Sequence, residues 1–193
     1  MSISENRGPV SACAIALGAL GLLVACSVAN SHPPMATAGY GFGKPATEAE
    51  RAAWNIDVAP TGEGLPPGRG TAEEGAKVYA AKCAACHGPT GTEGPMPRLV
   101  GGQGTLTTEH PVKTIGSYWP YATTLYDYIY RAMPYSAPQS LTPDEVYAVV
   151  AWLLAQNGII PPNTVMDAHT LPTVRMPNRD GFVPDPRPDL RAQ

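Results

Sequence analysis

One short string constrains this chain more than any other: Cys83-Ala84-Ala85-Cys86-His87. Two cysteines one helical turn apart present their thiols on one side of a helix, followed at once by an imidazole. That spacing suits two thioether bonds to the vinyl groups along one edge of a haem, with the histidine brought to the iron from one face. A covalent tether of this kind holds its cofactor even in a small protein with a thin core. Other uses of a cysteine pair fit poorly. A thioredoxin-type centre needs a surrounding βαβ pattern, and a zinc site needs two more ligands at matching spacing; the sequence offers neither. His32, His110 and His169 stand singly and read as surface residues.

The segments around the motif read as helices. Thr71 is a good N-cap and Glu74, three residues on, completes a capping box. Gly75, Val78 and Tyr79 then share a face, which continues through Lys82 to Cys83 and Cys86, so the helix is expected to run to about residue 85. Gly75 weakens a helix interior; its presence there predicts that another helix crosses closely. A second helix is expected over 121–132, with Pro120 in its first turn, Leu125, Tyr128, Ile129 and Ala132 on one face, and Pro134 ending it. The third begins with Thr142 as cap, Pro143 first inside and Glu145 closing the box. Val146, Val149, Val150, Leu153 and Leu154 make its apolar stripe, and Gly158 closes it. A short capped helix fits 47–54. The expected fold is all-α: three core helices around one covalent haem, residues 71–158, with long extended arms on either side.

Those arms are where composition matters. The chain carries 22 prolines and 20 glycines, heavily placed outside the three helices. Residues 26–70 read as an extended N-terminal arm. Residues 159–193 read as a proline-rich tail: a docking arm for another protein, a segment folded back on the haem domain, or merely loose chain. In the docking reading Phe182 and Met176 are the apolar anchors, and Arg175, Arg179 and Arg187 pair with acidic groups. Residues 1–25 read as an export signal: Arg7 flanks an uncharged apolar run over 10–29, stopped by Asn30-Ser31-His32-Pro33-Pro34. Leu23-Val24-Ala25-Cys26 resembles a lipobox, which makes Cys26 the candidate lipid site; cleavage a few positions later is the alternative. The expected location is therefore periplasmic or extracytoplasmic, with acyl chains holding the protein to a membrane surface. A net charge of −3 gives no basic surface for nucleic acid.

What fills the iron's second face decides the chemistry. A thioether there favours reduced iron and makes a carrier rather than an oxygen-activating centre. Met133 is the best placed, where the second helix breaks into a loop before the third. Met176, also followed by proline, is the rival, and Met96 stands very close to His87 in the chain. The Gly94-Pro95-Met96-Pro97 loop is positioned to offer a carbonyl to the other ring nitrogen of His87. Tyr118 and Trp119 are candidate donors to haem propionates, with plain core packing as the alternative.

These features together resemble a class I cytochrome c. Longer strings are more specific. Gly64-Leu65-Pro66-Pro67-Gly68, Gly101-Gly102-Gln103-Gly104-Thr105-Leu106, Gly116-Ser117-Tyr118-Trp119-Pro120-Tyr121-Ala122 and Arg131-Ala132-Met133-Pro134 resemble the SoxD-type cytochrome subunit of sulfite-dehydrogenase-like molybdenum enzymes. So do Ala137-Pro138-Gln139-Ser140-Leu141 and the tail string from Arg175 to Phe182. The resemblance spans roughly residues 40–183. Some SoxD proteins carry a second haem domain; this chain has a single C-x-x-C-H. The resemblance implies a molybdenum-containing oxidoreductase subunit as electron donor, and a soluble cytochrome or the respiratory chain as acceptor. The chain itself would transfer electrons and oxidise no substrate. Two alternatives remain at this level: a general respiratory carrier with no molybdenum partner, and a haem sensor or peroxidase-like protein with an open iron position.

Overall fold

The structure, a computed structural model, describes residues 43–185. The chain divides into two units, 1–46 and 47–193. Of the first, residues 43–46 are described and carry neither helix nor strand. The export signal, Cys26 and, at the other end, Arg187 lie outside the described residues.

The second unit opens with α1 (Glu48–Trp54). Thr47 accepts from the Glu50 N–H while the Glu50 carboxylate accepts from Thr47, the expected capping box. No residue of α1 is buried, and Trp54 is 86 % exposed. The stretch that follows belongs to the segment read as an extended arm. It is extended, but it is bound along its length. The Val58 N–H donates to Asp127 Oδ1 at 2.9 Å, the Thr123 hydroxyl to the Pro60 carbonyl at 2.9 Å, and the Tyr147 hydroxyl to the Pro66 carbonyl at 3.0 Å. Its irregular backbone finds partners on two helices, as buried peptide groups must.

A short strand, β1 (Arg69–Thr71), leads straight into α2 (Ala72–Lys82), whose Thr71–Glu74 capping box forms as expected. The helix stops earlier than the sequence suggested. Cys83 (φ −122°, ψ −35°) breaks it, and a single further turn, α3 (Ala84–His87), carries the motif. After a long loop come α4 (Ala122–Ala132) and α5 (Pro143–Gln156), the latter with its own Thr142–Glu145 box.

The core is built on the crossing of α2 and α5. A Cβ added to Gly75 would lie 1.9 Å from the Ala148 carbonyl oxygen, so the close crossing predicted from that glycine is present. Tyr79 and Trp152 stack across it with ring centroids 3.9 Å apart. Every residue of α5 from Val146 to Leu154 is buried, because α2, α4 and the β-strands cover it on all sides. From α4, Leu125, Tyr126 and Ile129 face inward, with Tyr126 against Tyr147 at 4.5 Å.

The expected all-α fold is present, and the tail adds one small detail to it. Residues 165–167 form β2 (Val165–Asp167), which pairs antiparallel with β1, Gly70 opposite Met166, so the fold is helical with one small two-stranded ribbon. A 3-10 turn follows at Leu171–Thr173. Met166, Leu171, Val174 and Met176 are buried in the same core as the helices. The described part of the tail is thus folded back on the haem domain and is no free docking arm. Asn178 donates to the Tyr118 carbonyl at 2.8 Å, Phe182 meets the Tyr118 ring edge-on at 5.3 Å, and Arg179 lies over the Tyr121 ring at 4.1 Å. Met176 and Phe182 do anchor the segment, but within the chain itself. Arg175 pairs with Asp180 of the same tail.

Candidate haem site

The helix break at Cys83 shapes the site. Its carbonyl accepts from both the Cys86 and His87 N–H groups, at 3.1 and 3.0 Å, so both thiols and the imidazole leave one tight turn. Cys83 packs partly against the core while Cys86 is exposed. Burial, with Cys86 adding to it, pushes the Cys83 thiol up to about 11. That is the reverse of a redox-active cysteine pair, whose attacking thiol is lowered so that it ionises. Among the described residues no group of three or more His, Cys, Asp or Glu side chains gathers to hold a metal ion, so a zinc site lacks ligands there.

His87 Nδ1 lies 3.0 Å from the Pro97 carbonyl oxygen. A carbonyl only accepts, so Nδ1 carries the proton and Nε2 keeps its lone pair for a metal. The loop predicted to supply that carbonyl does so. It is held close by the Met96 N–H on the Cys86 carbonyl at 3.0 Å and the Leu99 N–H on the Gly91 carbonyl at 2.8 Å. Gly94 has no room for a side chain: a Cβ there would sit 2.1 Å from the Cys86 carbonyl oxygen. Beneath the turn, the Tyr79 hydroxyl donates to the Gly88 carbonyl at 3.0 Å, tying the motif to α2.

Met133 caps the C-terminus of α4 in an extended conformation, half-buried against the core. Met176 is 1 % exposed and fully committed to the core, and Met96 is largely exposed on the loop. Trp119 packs on the core and meets the Tyr128 ring edge-on at 5.7 Å. Tyr118 is drawn towards the tail by Phe182, with Lys113 5.0 Å above its ring. The donor set fits a covalent haem: two thiols on one turn, an imidazole oriented with Nε2 free, and a thioether at the end of a separate helix.

One feature of the neighbourhood escaped the sequence reading. Asp127 and Arg131, one turn apart on α4, form a two-bond ion pair at 2.9 and 2.5 Å, with Asp57 3.7 Å from the same guanidinium. Burial works to raise the Asp127 carboxyl, but the Arg131 guanidinium and the Val58 N–H outweigh it and hold it below its ordinary value. The i, i+4 spacing was the available signal. It fastens the arm to the helix that ends at Met133.

A helical core with an attachment turn ahead of a methionine-capped helix defines a class of protein. The family model for cytochrome c matches residues 72–157, from the start of α2 to just past α5, and the chain belongs to the cytochrome c family. Its cofactor is covalently bound haem c. Within that class, it is similar to a chain in the crystal structure of the sulfane dehydrogenase SoxCD from Paracoccus pantotrophus. The match has 42% identity and a TM-score of 0.73, and it covers 80% of this chain and 78% of that one. No curated protein sequence matches the chain significantly.

Proposed function

We propose that this chain is the electron-accepting cytochrome subunit of a SoxCD-like, sulfur-oxidising complex. The observation that carries this reading is the extent of the likeness: 42% identity over 80% of the chain reaches beyond the haem domain into the flanking segments.

In this reading Cys83 and Cys86 would hold the haem by thioethers, and His87 Nε2 and Met133 would ligate its iron. Bound there, the haem supplies a one-electron couple. The chain's residues keep that couple in place. Pro97 keeps the proton on His87 Nδ1, the α2–α5 crossing steadies the attachment turn, and the Asp127–Arg131 pair steadies the helix ending at Met133. Tyr118 and Trp119 would be the candidate donors to its propionates. A molybdenum-containing partner oxidises the substrate, sulfite or a protein-bound sulfane sulfur, and a soluble cytochrome or the respiratory chain takes the electrons onward. The protein works outside the cytoplasm, held to a membrane by lipid on Cys26; the intact mass of detergent-extracted protein checks this, and a soluble product beginning beyond Cys26 contradicts it.

Gentle solubilisation of membranes followed by affinity capture of the full chain tests the partner. A molybdenum subunit is expected at stoichiometric amount by mass spectrometry. Recovery of the cytochrome alone, under conditions that keep other respiratory complexes intact, favours a general carrier instead.

A further inference from the structure

Asn157 follows directly on α5, is 8 % exposed, and spends its amide largely on groups outside that helix. Its Oδ1 accepts from the Gly101 N–H at 3.0 Å. Its Nδ2 donates to the Leu99 carbonyl at 3.2 Å and to the Leu153 carbonyl at 2.8 Å. The Asn157 carbonyl accepts from Gln103 Nε2 at 2.9 Å. The amide is also walled in: a Cβ on Gly116 would stand 2.2 Å from Asn157 Oδ1.

Leu99 and Gly101 are the far end of the loop whose near end holds the histidine. Pro97 has no N–H with which to anchor itself. Its carbonyl is positioned by the tethers on either side. Met96 is tied to the Cys86 carbonyl, and Leu99 is held between Gly91, whose carbonyl accepts from its N–H, and Asn157, whose Nδ2 donates to its carbonyl. Gly101 is fixed from two sides as well, its N–H by Asn157 and its carbonyl by the Thr114 hydroxyl.

We propose that Asn157 is a positioning residue for His87: by pinning Leu99 and Gly101 it holds the Pro97 carbonyl against His87 Nδ1 and thereby sets the donor strength of His87 and the reduction potential of the haem it would hold. The inference rests on His87 being the iron ligand. An imidazole whose N–H is hydrogen-bonded is a more basic ligand, and a stronger donor favours ferric iron. Releasing the loop weakens that bond, so the reduced form gains. Only an amide fits the position as found, because it accepts from one backbone N–H while donating to two carbonyls.

The test uses Asn157→Ala in the full chain. Asn157→Ser, which keeps a hydroxyl able to replace one of the three bonds, is the milder variant should the alanine form not mature. Thr142→Ala is the control: it removes the cap at the opposite end of α5, lowering stability without touching the loop. Two quantities are read, the reduction potential and the exchange rate of the His87 Nδ1 proton by NMR of the reduced protein. Asn157→Ala is expected to shift the ferric–ferrous equilibrium three- to tenfold towards the reduced form, at about 59 mV per tenfold, and to speed exchange of that proton. Thr142→Ala is expected to melt lower with both quantities unchanged. If Asn157→Ala, or Asn157→Ser in its place, melts lower but keeps the parent potential and exchange rate, Asn157 is merely structural and the proposal is overturned. If the parent protein shows no histidine on its iron by resonance Raman, the site assignment itself fails, and that is known before any variant is made.

Discussion

Gly75→Ala puts the central packing claim at risk with a single methyl group. In an isolated helix the change helps, since alanine is favoured over glycine by about 1 kcal/mol. Here the added Cβ would meet the Ala148 carbonyl oxygen at 1.9 Å, the Ala148 carbonyl carbon at 2.5 Å and Trp152 Cβ at 2.8 Å. Two of these are backbone atoms inside a buried helix, so no side chain can turn aside. Ordinary contact requires the two helices to part by about 1.5 Å, which strains the Tyr79–Trp152 stack and the buried face of α5. Overpacking of this kind costs about 1–3 kcal/mol and more where backbone must move. Net of the propensity gain, a loss of about 2 kcal/mol is expected, a drop of roughly 8 °C in melting temperature for a domain of this size. Thermal unfolding of the oxidised holoprotein, followed by circular dichroism, measures it. A variant melting at or above the parent would show that α2 and α5 do not cross as closely as described.

Met133→Ala is expected to remove the far-red absorption of methionine-ligated iron, whereas Met176→Ala is expected to keep it and lose about 2–5 kcal/mol of stability from the cavity left in the core; optical spectra with melts of the two variants decide between the two methionines. Truncation after Gly158 removes four buried side chains, Met166, Leu171, Val174 and Met176, worth together about 6–12 kcal/mol, comparable to the whole stability of a domain. The truncated chain is expected to lose its cooperative melt, and an unchanged melt would contradict the folded-back tail. Asp127 is held below its ordinary value, so its contribution is fully present above about pH 4 and is lost as the pH falls through the lower folded value. Asp127→Asn is therefore expected to melt lower at neutral pH and to flatten the acid limb of stability against pH; identical acid limbs would count against the pair.

What could be read in advance was local. The attachment motif is chemistry written in consecutive residues, and the three Thr–Glu capping boxes are fixed spacings whose hydrogen bonds close within one turn. Gly75 was informative because a glycine mid-helix has few other reasons to be there. The tail was opaque for the opposite reason. Met166, Leu171, Val174 and Met176 follow neither a helical nor a strand period, since they lie in turn on a three-residue strand, a 3-10 turn and extended chain. Met166 is placed by β1 and the 3-10 turn packs on α4, both remote in sequence, and the prolines nearby gave the segment the look of extended chain. The break at Cys83 was hidden because Cys83 and Cys86 continue the helical spacing of Gly75, Val78 and Tyr79, with Lys82 the one charged residue on that face. Nothing in the sequence marks Asn157; its role depends on Leu99 and Gly101, which only the folded chain brings to it.

The proposed function has this cytochrome accept electrons from a separate oxidising subunit, with no oxidation of substrate on the cytochrome itself. Mixing the purified oxidised protein with sulfite or a sulfane-sulfur substrate, with and without the molybdenum partner, and following the reduced haem spectrum in a stopped-flow instrument tests it directly. The account predicts one-electron reduction of the haem on the enzymatic timescale only when partner and substrate are both present. Reduction at the same rate by substrate alone, or none with the partner added, would contradict it.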